Sequence, residues 1–348
     1  MVVPIGCTLP LRQKMAAALH SRLPGSRVTA HRTPAVMKAR SLRIATAIEN
    51  AGNLDGIIAM GTDTYDLAAA MRGRHTPIAT YDDGTFALFL RYPDSDLSSL
   101  GLPSSKVDAW VRLQETACRR ATIACVSTEW ARKSVVQDFG VPPERVRVVG
   151  MGHRPRSNPE IKRSFENPRF LFVGVDWKRK NGAAVLDAFA RVHEKFPRAT
   201  LAVVGKHPPL RQAGVTGYGF LAREDPRGQK ILDQLFAQST AFVLPSLFDP
   251  SPIAYLEAAS CGLPVIATTR GGGGELLCDG SIRVDPYDRD SLVEAMLRLC
   301  DGEEASSMGA RALARSATSR WQDVCRRIVD GLMGADEQSN SAARIETR

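Results

Sequence analysis

In the C-terminal half of the chain, short apolar runs alternate with stretches whose apolar residues recur at helical spacing. "RFLFVGV" (Arg169 to Val175) is an apolar run closed by a glycine and reads as a buried strand. "AAVLDAFARVHEKF" follows, with Val185, Leu186, Phe189, Val192 and Phe196 on one helical face. "ATLAVVG" (Ala199 to Gly205), "TAFVLPS" (Thr240 to Ser246) and "PVIATT" (Pro264 to Thr269) repeat the strand pattern. "GQKILDQLFAQS", "SPIAYLEAASCG" and "DSLVEAMLRLCDG" repeat the helical one. Strands that alternate with helices at this spacing predict a parallel, doubly wound sheet.

The N-terminal half carries the same alternation less cleanly. Its predicted helices are "LRQKMAAALHSRL", "ARSLRIATAIENAG", "TYDLAAAMRG", "SSKVDAWVRLQETACRRA" and "TEWARKSVVQDFG", the last capped by Ser127 or Thr128. Its predicted strands are "SRVTAH", "LDGIIAMG", "TPIATYDD", "TIACVS" and "RVRVVGMG". "HRPRSNPEIKRSFENPR" (His153 to Arg169) is rich in Pro, Asn and charge and reads as a linker. The pattern thus predicts an α/β chain of two domains, 1–157 and 158–333, with a polar, disordered tail at 334–348. Doubly wound domains bind ligands at the carboxyl ends of their strands, so the cleft between two such domains is the expected site.

Composition narrows the function classes. No apolar run approaches the ~18 residues of a membrane span, and the start has no basic-then-apolar leader pattern. The seven cysteines are scattered without a Cys-x-x-Cys, and no His-x-x-x-His occurs. Reduced thiols, a cytoplasmic protein and no metal site are the expectation. The net charge of +9 suits an anionic partner such as a phosphorylated substrate or a membrane surface. Only 6% of residues are aromatic and no basic segment interleaves them, which argues against nucleic acid.

Three stretches carry candidate chemistry. In "SLFDPSPIAYLE", Asp249 lies in a loop after a predicted strand and Glu257 about two turns into the next helix. Ser251 and Pro252 stand at that helix's start, where free N–H groups and a partial positive charge attract phosphate. Asp249 suits sugar hydroxyls and Glu257 a ribose diol; equally, one acid caps the helix and the other faces solvent. "VGVDWKRKNG" gathers Lys178, Arg179 and Lys180 at a strand's carboxyl end, where cations can neutralise a diphosphate. "GGGGE" (Gly271 to Glu275) lets backbone approach a ligand or forms a flexible turn. It is neither a dinucleotide fingerprint nor a P-loop, which removes the oxidoreductase reading.

In this order and spacing, the stretches resemble the family-4 retaining glycosyltransferases of the GT-B fold, over roughly Ala121 to Trp321. The resemblance rests on "FVGVDWKRKNGAAVLDAFARV", "LAVVGKHPP", "VTGYGFL", "VLPSLFDPSPIAYLEAASCGLPVIATT" and "GGGGELL", with "STEWARKSVVQDFGVPPERVRVVGMG" before them. It implies two Rossmann-like domains facing across a cleft, the N-terminal one holding an acceptor and the C-terminal one a nucleotide-diphosphate sugar. The implied reaction is transfer of a hexosyl unit to an acceptor hydroxyl with retention, without a metal and without a cofactor, since the nucleotide sugar is a substrate. Lys180 would bind the donor phosphates, with Arg179 replacing the family's arginine where Val175 now stands. Asp249 would meet donor sugar hydroxyls, Glu257 the ribose, and Ser251, Pro252 and Ile253 the phosphate. Pro252 stands where the family often has Gly, which removes one N–H. Gly219, Phe220 and Leu221 fall where the family meets the nucleobase. Gly272, Gly273 and Glu275 complete the implied donor-binding set.

In the N-terminal half, "TYDDGTFALFLRY" makes Asp83 the candidate for the reacting acceptor hydroxyl, against a plain Asp-Asp-Gly turn. The family's opening strand and glycine loop have only "MVVPIGCT" to match, with Gly6 as a relic, so the N-domain is open to lacking its first strand. The implied setting is polysaccharide, glycolipid or glycoconjugate assembly, with UDP or GDP donors and peripheral contact at the inner membrane face. Two alternatives share the donor site: an inactive nucleotide-sugar-binding protein and a GT-B-like nucleotide-sugar epimerase.

Overall fold

Strands that are buried on both faces are dominated by apolar residues, and the central strands of the computed structural model follow that pattern. The structure describes residues 32–100, 102–156 and 163–346. The helix read at "LRQKMAAALHSRL", the strand read at "SRVTAH" and the Gly6 loop lie outside them.

The chain divides into two units. The first runs through Val149 and takes in the residues from Cys325 onward; the second is Gly150–Val324. The boundary thus falls ahead of the Pro- and Asn-rich segment that the sequence marks as a linker.

Among the described residues of the first unit, four parallel strands lie in the order β1-β2-β3-β4. They are β1 (Ile57–Met60), β2 (Ile78–Asp82), β3 (Ile123–Val126) and β4 (Val146–Val148). The helices are α1 (Pro34–Asn50), the short α2 (Leu67–Ala70) and α3 (Phe86–Phe89), α4 (Ser104–Arg120) and α5 (Glu129–Gln137). Thr128 is the cap of α5, its hydroxyl accepting from the Ala131 N–H at 3.2 Å. β3 is buried at every position, between Ala117, Ala121 and Ile48 in one core cluster and Val135 and Phe139 in another.

In the second unit six parallel strands lie in the order β10-β9-β8-β5-β6-β7. They are β5 (Arg169–Val173), β6 (Thr200–Val204), β7 (Val215–Gly219), β8 (Ala241–Leu244), β9 (Val265–Thr268) and β10 (Ser281–Val284). The helices are α6 (Gly182–Lys195), α7 (Pro226–Gln238), α8 (Ile253–Ser260), α9 (Arg289–Arg298), α10 (Gly302–Ser316) and α11 (Trp321–Glu346). The core centres on Phe170, Phe172, Phe189, Phe236, Phe242 and Tyr255, each at most 1% exposed. α11 starts in the second unit, and its residues from Cys325 belong to the first. There Arg327 Nε donates to the Val149 carbonyl at 2.8 Å, and Leu332 leaves no room for a side chain at Gly56. The helix continues to Glu346, through the stretch read from the sequence as a disordered tail.

The strand order of the second unit has a consequence for function. From β5 the chain moves outward through β6 and β7, then returns to β8 beside β5 and moves outward the other way. The loops after β5 and β8 therefore diverge from neighbouring strand ends. That is the crevice where open α/β sheets place their ligands.

Candidate functional site

The loop after β5 delivers Arg179 and Lys180 to this crevice, and the loop after β8 delivers Asp249. Each loop is held by its own backbone. The Asp176 carboxylate accepts the Arg179 N–H at 3.1 Å, and the Lys180 N–H donates to the Asp176 carbonyl at 2.9 Å. Trp177 packs edge-on against Phe172 and covers Gly182, where an added Cβ would sit 2.3 Å from its ring. Trp177 is thus an anchor for the basic loop. One further bond, from the Leu247 N–H to the Arg179 carbonyl at 2.8 Å, ties the two loops together.

Asp249 is 5% exposed. Its Oδ2 accepts from Lys180 Nζ in a short contact and from the Ser246 hydroxyl at 3.3 Å, and Arg179 Nη1 lies 3.9 Å away. The same Nη1 donates to the Phe248 carbonyl at 3.1 Å. Two cations and one enclosed carboxylate therefore form a single ionic cluster, with the more exposed Asp176 carboxylate 3.9 Å from Arg179 Nε at its edge. Charge pairs of this kind act more strongly where water is excluded.

The glycine run wraps the same acid. Gly271 has φ +97°, and a Cβ there would lie 2.1 Å from the Asp249 carbonyl oxygen. The Asp249 N–H donates to the Arg270 carbonyl at 3.2 Å, and the Gly273 N–H donates to the Asp249 carbonyl at 3.3 Å. Gly272 precedes a single turn of 3-10 helix that holds Gly273 and the half-buried Glu275. A Cβ on Gly273 would meet Pro252 at 2.8 Å.

Pro252 occupies the N-cap of α8 and no side chain caps it. Ser251 is buried beside it, and Ile253 opens the helix. The helix is fixed to the sheet by Tyr255, whose hydroxyl donates to the Leu244 carbonyl at 2.7 Å and accepts from the Thr268 N–H at 2.9 Å. Burial, then the charge of Asp249, raises the Tyr255 phenol well above its usual range.

Glu257 lies one turn further on, with a partner the sequence reading missed. Arg156 Nη2 donates to both of its carboxylate oxygens, at 3.1 and 3.2 Å. Arg156 Nη1 donates to Gln229 at 2.9 Å and to Asp233 at 3.4 Å, both on α7. The guanidinium lies 5.3 Å from the centre of the Phe236 ring. Arg156 sits in the presumed linker, 101 residues before Glu257, and no spacing rule connects the two.

Gly219 ends the edge strand β7, and Phe220 and Leu221 follow it. The Gly219 N–H donates to His207 Nε2 at 3.0 Å. Phe220 is 54% exposed, with Lys206 Nζ 5.7 Å from its ring centre. Val175, two residues beyond β5, is likewise exposed.

In the first unit, Asp82 ends β2 and Asp83 follows it. Asp83 is half-buried, and its carbonyl accepts from the Ser127 hydroxyl at 3.4 Å. Asp82 was passed over in the sequence. It keeps some exposure, but its Oδ2 is enclosed without a hydrogen-bond partner, as is the Thr62 hydroxyl after β1. Burial first, then the charges of Asp63 and Asp83, push the Asp82 carboxyl up to about 8, against a hydrogen bond from Gln114. Asp63 itself pairs with Arg32 at 2.6 Å. Among the described residues no cluster of three or more His, Cys, Asp or Glu is placed to hold a metal, and no helix is long and apolar enough to cross a membrane.

Residues 167–302 match the family model described as glycosyl transferases group 1. The D-inositol 3-phosphate glycosyltransferase of Thermomonospora curvata is 26% identical over 243 residues, 61% of this chain and 56% of that protein. The O-antigen chain mannosyltransferase B of Escherichia coli is 22% identical over 234 residues, 60% of each protein. The matches span 19 to 60% of the length of the first curated relatives. Among solved structures, a UDP-forming α,α-trehalose-phosphate synthase from Burkholderia xenovorans superposes with a TM-score of 0.67 at 14% identity, over 94% of this chain and 87% of that one. Residues 167–302 thus belong to the glycosyl transferases group 1, on a chain with the two-sheet, Rossmann-like fold of the GT-B glycosyltransferases.

Proposed function

We propose that the chain is a retaining glycosyltransferase that moves a hexosyl unit from a UDP- or GDP-sugar to an acceptor hydroxyl, in the assembly of a polysaccharide, glycolipid or glycoconjugate. The observation that carries this reading is the Lys180–Asp249–Arg179 cluster at the β5/β8 crevice, beside the start of α8. Two cations and helix N–H groups suit the two phosphates of a nucleotide diphosphate. An acid beside them suits the hydroxyls of the attached sugar.

In this mechanism the acceptor hydroxyl attacks the anomeric carbon on the face from which the diphosphate leaves, the bond to the diphosphate oxygen breaking as the new one forms and the hydroxyl proton passing to a departing phosphate oxygen. Arg179, Lys180 and the N–H groups at Ile253 and beyond stabilise the charge that grows on the leaving group. Pro252 contributes no N–H, so that task shifts to Ile253 and the two side chains. Lys180 is already bound to Asp249, which presets its position, and it bridges the acid to the phosphates when the donor arrives. Asp249 orients the sugar, and Glu257 takes the ribose diol. Gly219, Phe220 and Leu221 line the base, with the open face of Phe220 available for stacking. Gly272, Gly273 and Glu275 close the far side of the donor. The cations do the work a metal ion would otherwise do. Asp83 meets the acceptor, in a protein that works in the cytoplasm with peripheral contact at the inner membrane face.

The test is to incubate the protein with each nucleotide sugar, with and without candidate acceptors, and to follow nucleotide release and the product's anomeric signal by NMR. Nucleotide release that depends on an acceptor, with the donor's anomeric configuration kept, supports the reading. Sugar interconversion without acceptor would replace it with an epimerase. Val175 and Pro252, each in a position that forgoes a phosphate contact, favour a binding-only protein as the second reading. That protein would bind donor and release nothing.

A further inference from the structure

We infer that Arg156 is the positioning residue for the nucleotide's ribose, acting through Glu257; the inference rests on the donor-site reading above. A glutamate on a helix has several rotamers, and a diol needs both carboxylate oxygens presented together. Here one nitrogen of Arg156 reaches both oxygens, at 3.1 and 3.2 Å. A carboxylate offers about four lone-pair directions. Arg156 uses one on each oxygen and leaves one on each for a hydroxyl.

The arginine is itself fixed from other sides. Gln229 and Asp233 hold Nη1, and the Phe236 ring supports the guanidinium plane. Its side chain is 13% exposed, as is that of Glu257. Asp233 supplies a second negative charge, so Arg156 balances two acids that would otherwise repel each other across α7 and α8. A lysine offers one point charge in place of a planar fork and cannot serve both acids with the same geometry. Arg156 precedes β5 within the second unit, where the sequence marks only a linker. It supplies a cation that sets how a ribose is received.

The experiment compares UDP and GDP with their 2′,3′-dideoxy counterparts by calorimetric titration, on wild type, Glu257→Gln, Arg156→Ala and Arg156→Lys. The ratio of the two affinities isolates the diol from the phosphates, and general loss of fold does not mimic a change in it. We expect wild type to favour the ribonucleotide by about tenfold, as for hydrogen bonds to a charged group. The preference falls to about twofold in both Glu257→Gln and Arg156→Ala, and Arg156→Lys restores part of it. If Glu257→Gln removes the preference and Arg156→Ala keeps it, the positioning role is overturned and the donor site stands. Tighter ribonucleotide binding by Arg156→Ala would overturn it too, by making Arg156 a competitor of the diol. If wild type binds neither nucleotide, or Glu257→Gln keeps the full preference, the donor-site reading fails first.

Discussion

Replacing Lys180 with methionine removes a charge and keeps the length of the side chain. Two effects follow, and they are separable. The first is on stability. Asp249 is 5% exposed and loses its nearest cation, and breaking one side of a buried pair costs about 3–5 kcal/mol. Arg179 remains 3.9 Å from the carboxylate and Ser246 still donates at 3.3 Å, so the lower end applies, about 3 kcal/mol. The second effect is on turnover. Losing one of the groups that stabilise the leaving diphosphate lowers kcat by about 100-fold, with a smaller change in donor affinity. The control is the double variant with Asp249→Asn. With no buried charge left unpaired, stability recovers to within about 1 kcal/mol of wild type. Turnover does not recover. Urea unfolding followed by fluorescence and steady-state release of nucleotide measure the two effects. An unchanged kcat in the folded single variant would refute the leaving-group role. An unchanged midpoint would refute the buried pair.

Other substitutions probe the scaffold. Gly271→Ala places a Cβ 2.1 Å from the Asp249 carbonyl at φ +97°, so strain and overpacking together cost roughly 2–6 kcal/mol in urea unfolding. Tyr255→Phe leaves the Thr268 N–H without its partner in the core, while the Leu244 carbonyl keeps the Ser246 N–H at 2.9 Å, and costs about 1–3 kcal/mol by the same assay. The Asp82 carboxyl is raised in the fold from 3.8 to about 8, so the folded state keeps a proton that the unfolded chain gives up. Stability therefore falls as pH rises between about 4 and about 8, and Asp82→Asn flattens that slope across denaturation curves at pH 5 and 8. A slope unchanged by the substitution would show that Asp82 is not the group responsible.

The elements legible in the sequence were those whose burial leaves no choice of residue. β8 and β9, "AFVL" and "VIAT", are buried at every position and read as apolar runs. β7 is an edge strand, "VTGYG", with two glycines and an exposed tyrosine, and no apolar run announces it. β10, "SIRV", closes the other edge and buries only Val284 fully, so it too escaped the pattern. α10 lies in the stretch after the last helix that was read; Ala305, Gly309 and Ala312 form much of its buried face, small residues that give a weak apolar signal.

The site divides along similar lines. Arg179, Lys180 and Asp249 were legible as candidates because each lies in the loop directly after a strand, where ligand chemistry is expected. Their convergence on one another depends on strand order, which places β8 beside β5 and which the sequence does not display. That the glycine run permits a close approach of its backbone was legible from composition, with a ligand or a plain turn as the reason; that Gly271 packs against the carbonyl of Asp249 was not. Arg156 looked like one more charge in a linker, and Asp82 like half of a turn. In both cases the missing information was three-dimensional. A distant carboxylate receives the arginine, and an enclosed oxygen sets the acid apart.

The central claim is that the β5/β8 crevice binds a nucleotide-diphosphate sugar. The most direct measurement is calorimetric titration of wild type, and of the stability-matched Lys180→Met/Asp249→Asn variant, with a panel of UDP- and GDP-sugars. The account predicts that wild type binds one donor with a Kd in roughly the micromolar range, and that the folded variant binds it at least about tenfold more weakly. Binding of that donor with equal affinity by both proteins, or no binding of any donor by wild type, would contradict it.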